Sequence, residues 1–299
     1  MKKIKLTVCV STYNQVDYIS ECLDSLLNQI TSFNYEVLVS DDCSTDGTSS
    51  IVEMYCAKYP EKIKNVSRVS NGGPFLNYLN VHQSATGEFV AHMDGDDIAL
   101  PGKLEAQVLF LDNNPKCNVV WHRMVLFDKS VEVIHASSNI EFVERPIYAE
   151  EASLLGPMGA HSSTMYRRKN FNINKFTNKC DDWLMAIFYL ENGYAYMLDA
   201  VLGKYRITST SMSGGSRANK KNRELSTSSQ LMAVQFNSKL APFVATRALA
   251  NFVLDAFLLR SYCLLSLKVL IKCRSFPLLL SAPKIYRFYM WSRRPSVLH

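Results

Sequence analysis

Three β-rich apolar runs each stop at a polar cluster, and helical spacing follows at least the first two. Residues 5–11 (Lys-Leu-Thr-Val-Cys-Val-Ser) end at Thr12-Tyr13-Asn14. Residues 35–40 (Tyr-Glu-Val-Leu-Val-Ser) end at Asp41-Asp42-Cys43-Ser44-Thr45-Asp46. Residues 88–93 (Glu-Phe-Val-Ala-His-Met) end at Asp94-Gly95-Asp96-Asp97. Over 17–28 the apolar positions Ile19, Cys22, Leu23, Leu26 and Leu27 recur at helical spacing, and further helices are expected near 48–58 and 75–85. Strands alternating with helices predict βαβ units: a Rossmann-like α/β fold with a single mixed, mainly parallel sheet flanked by helices. In such sheets ligands sit beyond the C-terminal strand ends. The pattern thus gathers the three polar clusters, at 11–14, 41–46 and 94–97, on one edge.

Crowded carboxylates repel one another. Asp94, Asp96 and Asp97 at one strand tip therefore suit a hard divalent cation with oxygen ligands, Mg2+ or Mn2+. A cation in that place can clamp a diphosphate. A solvated acidic turn has the same letters, and it is the convergence of three clusters that favours the site. Asp41 and Asp42 also fit an Asx-type turn, with Ser44 or Thr45 capping the next helix, and Asp46 is assigned mainly to that turn. No G-x-x-x-x-G-K-[ST] or G-x-G-x-x-G pattern is present, which removes support from P-loop and dinucleotide readings.

The second half is less regular. A helix is expected from Lys103 to Asn113, short strands and loops over 117–148, and a strand over 162–166. Asp181-Asp182-Trp183-Leu184 opens a helix that Gly193 ends, and short strands follow at 194–197 and 201–206. The Ser-, Gly-, Asn- and Lys-rich stretch from 209 predicts a mobile linker, set at 216–229 between a 1–215 unit and a 230–299 region.

Charge follows the same division. From Arg217 onward lie 14 of the 33 Lys/Arg but only two of the 27 Asp/Glu, Glu224 and Asp255, so the first part is net −6 and the tail +12. The tail's apolar stretches are broken by Asp255, Arg260 and Lys268, which argues against a membrane span. Basic amphipathic helices on an anionic membrane surface are expected instead, with Lys284, Arg287, Arg293 and Arg294 interleaved with Tyr286, Phe288, Tyr289 and Trp291. A helical subdomain packed on the core is the alternative, and no motif supports nucleic-acid binding. The eight cysteines form no C-x-x-C pair, so they are read as reduced core thiols of a cytoplasmic protein without a zinc site.

Taken together, these pieces resemble the family 2 glycosyltransferases over about residues 5–213. The matching segments are 8–14, 39–48, Asn71-Gly72-Gly73-Pro74 with Asn77, 85–90, Met93-Asp94-Gly95-Asp96-Asp97 and Lys103-Leu104. The resemblance implies a GT-A type fold and an inverting, metal-dependent transfer from a nucleotide sugar. It further implies a bacterial surface-polysaccharide role. A glycan or lipid-linked acceptor would be met at the inner membrane face.

By the same resemblance, Ser11, Thr12, Tyr13, Asn14, Asp41, Asp42, Asp94, Gly95, Asp96, Asp97, Lys103 and Arg206 fall in the nucleotide-sugar site, with Asp94 and Asp96 on the metal. Lys103 equally fits a solvated helix lysine. Asp182 takes the place of the general base, with Asp181 as runner-up; helix capping is the competing role for this pair. Trp183 stacks on a sugar or belongs to the core. Tyr205-Arg206-Ile207-Thr208 departs from the family's Y-R-x-H, having Thr208 where a metal- or diphosphate-binding histidine usually stands. Water, His161 or another group is then left to fill that place. Two other readings stay open: a sugar-1-phosphate nucleotidyltransferase, and a binding module that has lost catalysis.

Overall fold

The computed structural model describes residues 3–127, 132–134, 143–156, 158–170, 172, 181–207, 220–258, 260–275 and 296–297. The N-terminal half runs β1 (Leu6–Thr12), α1 (Ile19–Leu27), β2 (Tyr35–Asp41), α2 (Thr48–Lys58), β3 (Ile63–Asn65), α3 (Pro74–Gln83), β4 (Phe89–Asp94), β5 (Ile98–Ala99) and α4 (Lys103–Asn113). Then come β6 (Cys117–Phe127), β7 (Glu132–Ile134), β8 (Pro146–Ile147), α5 (Ala149–Leu155), β9 (Met165–Arg167), α6 (Asp182–Tyr189) and β10 (Tyr194–Arg206). Three helices, α7 (Lys220–Phe236), α8 (Ala241–Phe257) and α9 (Cys263–Cys273), precede the short β11 (Ser296–Val297).

One mixed sheet carries these strands in the order β11-β7-β6-β9-β4-β1-β2-β3, with β10 beside β6. The part β4-β1-β2-β3 is parallel, as are β6 and β10, while β9 runs antiparallel between β4 and β6. Period-two alternation sorts the side chains. Leu6, Val8 and Val10 join Val37, Val39, Ala91 and Met93 under α1, α2 and α4. Cys9, Leu38 and Val90 face α3, α5 and α6 on the other side. Both faces are covered, which is why these strands read as near-continuous apolar runs.

The structure corrects four sequence readings. Residues 117–127 form one eleven-residue strand rather than short pieces, because it is buried on both faces and shows no clean alternation. The two strands expected over 194–206 are one strand with register shifts around Val201, a bulge that resembles a turn in sequence. The strand expected at 162–166 starts only at Met165, after a 3-10 turn at His161–Ser163.

Fourth, part of the expected linker is helix, since α7 begins at Lys220. Its polar composition reflects an exposed face, not a break in structure. Residues 208–219 and 276–295, with Thr208 and the aromatic-basic tail, lie outside the described residues.

Helices α7–α9 share a core with the sheet domain. Ala233, Leu240, Val244, Ala245, Ala248 and Val269 belong to the apolar cluster of Trp183, Leu184 and Phe188. The Arg247 guanidinium lies 5.1 Å from the Trp183 ring centre. Ser238–Phe257 is long and apolar enough to cross a membrane, yet half of its most apolar window is buried in the protein. Near its end, Asp255 is buried against Arg223 at 2.7 Å and Arg260 at 2.9 Å.

Candidate active site

Strand register builds the site. Thr12 pairs with Asp41, and Ser11 with Asp94, so the C-terminal ends of β1, β2 and β4 lie side by side. Local bonds then lock the loops. The Asn14 side chain accepts from Thr45 N at 2.8 Å, and Ser44 Oγ accepts from Asn14 N at 2.8 Å. Asn77 Nδ2 donates to the carbonyls of Ser40 and Thr12. At the centre, Ser11 Oγ is buried without a hydrogen-bond partner among the described residues, as a ligand-binding hydroxyl would be. Tyr13 is exposed at the rim.

The two acids after β2 differ in use. Asp41 is buried and accepts from the hydroxyls of Ser44 and Ser49. Both oxygens of Asp42 accept from backbone amides, Gly72 N at 2.8 Å and Gly73 N at 2.7 Å. Asp42 therefore shapes the 71–73 loop, and its expected place among donor-contacting groups is corrected to a structural one. Asp46 accepts from Val16 N and Thr48, consistent with its assignment to the turn.

The 94–97 turn is compressed. Gly95 N donates to Ser11 O at 2.9 Å, and a Cβ at Gly95 would lie 2.6 Å from Gln15 Oε1 and 2.8 Å from Thr12. Only glycine fits there. Burial works to raise Asp94, but the hydrogen bond from His92 and the neighbouring His92 and His161 imidazoles prevail and hold it well below the usual carboxylate range. Burial, together with the Asp94 charge, pushes Asp96 up; burial and both neighbouring acids push Asp97 up as well. Three acids in one half-dry turn thus carry less than their full charge. That electrostatic arrangement fits Mn2+ or Mg2+.

One expected contact, that of Lys103, is corrected here, and Arg206 is found braced within the protein. Lys103 is fully buried, donates to Ser162 O at 2.8 Å, and has its ammonium pulled down to about 8 by burial. It steadies the 161–163 turn and does not reach a phosphate. Arg206 donates to the Asp96 carbonyl at 2.8 Å, pairs with Glu21, and lies over Tyr18 and Phe127. Its amide also donates to Asp97 Oδ1 at 2.9 Å. Arg206 thus braces the acidic turn against α1.

Histidines surround Asp94, and the sequence reading missed one of them. His92 Nε2 lies 3.1 Å from Asp94 Oδ1 and His161 Nδ1 lies 3.9 Å from the same oxygen. Among the described residues these three form a cluster able to hold a metal ion, and Asp96 is not part of it. His92 sits two positions before Asp94, hence on the same strand face, a signal readable in sequence. Ser162 Oγ accepts from Asp94 N at 2.9 Å and lies 3.3 Å from its Oδ2.

Asp182 and His161 line one cavity. Tyr78, Trp121, Thr164 and Tyr189 are among its other walls. Asp182 is exposed, and its charge reaches the His92 imidazole. Asp181 instead caps α6, accepting from Leu184 N at 2.9 Å. Trp183 is buried, donating to Ala152 O at 2.8 Å, so it belongs to the core.

Residues 7–173, more than half of the chain, match the profile of glycosyl transferase family 2. The chain belongs to that family. This family 2 chain is 30% identical over 207 residues to the putative glycosyltransferase EpsE of Bacillus subtilis, a match covering 68% of this chain and 73% of EpsE. It is 32% identical over 208 residues to an uncharacterized protein of Mycobacterium tuberculosis, covering 67% of this chain and 58% of that relative's length. In fold it is similar to residues 1–349 of Staphylococcus aureus TarS in complex with UDP-GlcNAc, with TM-score 0.71, 20% identity and coverage of 97% and 88%. A mannosyltransferase from Pyrobaculum calidifontis in complex with GDP-Man and Mn2+ gives TM-score 0.63, with 20% identity and coverage of 97% and 83%. These likenesses agree with the GT-A type α/β fold expected from sequence.

Burial, and then the Asp182 charge, push the Asp181 carboxyl up to about 6, against hydrogen bonds that favour its charged form. A carboxyl raised on folding contributes most below its unfolded pKa, and stability drains away as pH climbs from about 4 through about 6. Asp181→Asn keeps a good helix cap and removes that cost. Thermal unfolding should show the variant gaining on the wild type by several degrees between pH 4 and pH 7.5. An equal difference at both pH values would refute the assignment.

Proposed function

We propose that this chain is an inverting glycosyltransferase moving a sugar from a nucleotide sugar, a UDP-sugar, to a hydroxyl of a growing glycan. The observation that carries the reading is the shared edge: Ser11, Thr12, Asp41 and Asp94 at adjacent strand ends, with Asp182 lining the same cavity as His161. Asp41, with Ser11 and Thr12, recognises the base and ribose. The unpartnered Ser11 hydroxyl supports that role. Asp94 and the 94–97 turn face the diphosphate. A divalent cation bound there supplies charge neutralisation to the departing nucleotide. Asp182 accepts the proton of the incoming alcohol. With base and leaving group on opposite sides of the sugar, displacement inverts the anomeric centre. TarS was solved with UDP-GlcNAc, which supports a uridine donor for this chain.

A screen of nucleotide sugars for released nucleotide tests the proposal. UDP release from a UDP-sugar, stimulated by Mn2+ and acceptor, is expected. Pyrophosphate release from a nucleoside triphosphate and a sugar 1-phosphate would replace this reading with a nucleotidyltransferase.

The acceptor in this proposal is a polyprenyl-diphosphate-linked intermediate of O-antigen or capsule synthesis, met at the cytoplasmic face of the plasma membrane. Exposed Leu264, Lys268 and Ile271 recur along one face of α9, and Val253 and Phe257 of α8 are exposed as well. An apolar face edged by cations suits an anionic lipid surface. Removing α8 would strip Val244, Ala245 and Ala248 from the core, so point changes are the sound test. Leu264→Glu with Ile271→Glu should cut co-flotation with anionic liposomes about tenfold or more. Unchanged flotation would remove the membrane from the account.

A further inference from the structure

We propose that His161 is a nitrogen ligand of the divalent cation, acting with Asp94. This inference rests on the glycosyltransferase reading of the site and names a ligand where Thr208 replaces the family's usual histidine. Geometry carries it. His161 Nδ1 and Asp94 Oδ1 are 3.9 Å apart, too far for a hydrogen bond. Two metal–ligand bonds of about 2.1 Å each reach up to about 4.2 Å, so both atoms can meet one cation. Among the described residues no hydrogen bond engages the His161 ring nitrogens. The ring is nonetheless held, packed at a tilt against His92 with centroids 3.8 Å apart and stacked on Tyr78 at 5.2 Å. The turn that carries it is pinned by Lys103 Nζ on Ser162 O.

The neighbouring histidine has a different task. An ionised carboxylate only accepts, so His92 Nε2–H donates to Asp94 Oδ1 and His92 Nδ1 accepts from His82 Nε2–H, at 3.0 Å. His82 Nδ1 is then left to accept from Tyr166 Oη at 2.7 Å. Both nitrogens of His92 are committed in this chain, which aims Asp94. His161 is the imidazole left over for a cation. A mixed oxygen and nitrogen set favours Mn2+ over Mg2+, because imidazole suits the transition ion and Mg2+ prefers oxygen.

The test is pulsed electron paramagnetic resonance of Mn2+ bound to the full chain with UDP, which detects a directly coordinated nitrogen. The wild type should show imidazole nitrogen coupling. His161→Gln should lose it, should weaken Mn2+ binding about tenfold or more, and should alter Mg2+ binding less. His92→Gln should keep the coupling. Coupling that survives in His161→Gln and vanishes in His92→Gln would overturn the assignment, as would a Mn2+–UDP complex with no nitrogen coupling at all. Failure to bind Mn2+ or UDP in any form would overturn the glycosyltransferase reading together with this one.

Discussion

Asp182→Asn is expected to lower turnover by about 10²–10⁴-fold while leaving UDP affinity unchanged, the range that loss of a positioned base produces. The substitution preserves shape and removes basicity. It also spares the helix, because Asp181, not Asp182, caps α6. Asp182 is exposed and lines the same cavity as His161. Steady-state release of UDP, with binding measured separately by calorimetry, checks the claim. A variant with full turnover would remove Asp182 from the reaction. Equal losses in turnover and UDP binding would reassign it to holding the donor.

Asp94→Ala is expected to weaken UDP binding in the presence of Mn2+ by at least about 100-fold, beyond the 10–100-fold typical of losing an outer partner of a metal ligand. Asp94 is the acid of the turn held most strongly in its charged form, since His92 and Ser162 both engage it. Without it, Asp96 and Asp97 lose the neighbour whose charge raises them. They would then ionise more readily, but Asp97 is buried beneath Arg206 and cannot replace the missing ligand. Calorimetric titration of UDP with Mn2+, and again with EDTA, gives the comparison. If the variant and the wild type bind UDP alike in both, the cation is not held at the end of β4.

Much of the fold was legible in the sequence. The apolar runs at 5–11, 35–40 and 88–93, with helical spacing between them, placed three clusters on one edge, and the parallel register of β1, β2 and β4 agrees. Long-range contact was less legible. Asp42, Lys103 and Arg206 are polar residues next to the cleft, and a sequence does not show which way such side chains turn. Each turns inward because an unsatisfied backbone group, or an acidic turn, demands a partner there. His161 stands 67 positions after Asp94 and reaches it only because β9 runs antiparallel beside β4. The helical tail read correctly as helical, but its packing depends on apolar faces of α5 and α6 that periodicity alone does not pair.

Titrating the wild-type protein with UDP, UMP and uridine, each with Mn2+ and with EDTA, tests the central claim most directly. UDP should bind far more tightly with Mn2+ than with EDTA, and the gain should shrink for UMP and vanish for uridine. Three ligands that bind alike, with no response to the cation, would contradict a diphosphate held by a metal at these strand ends.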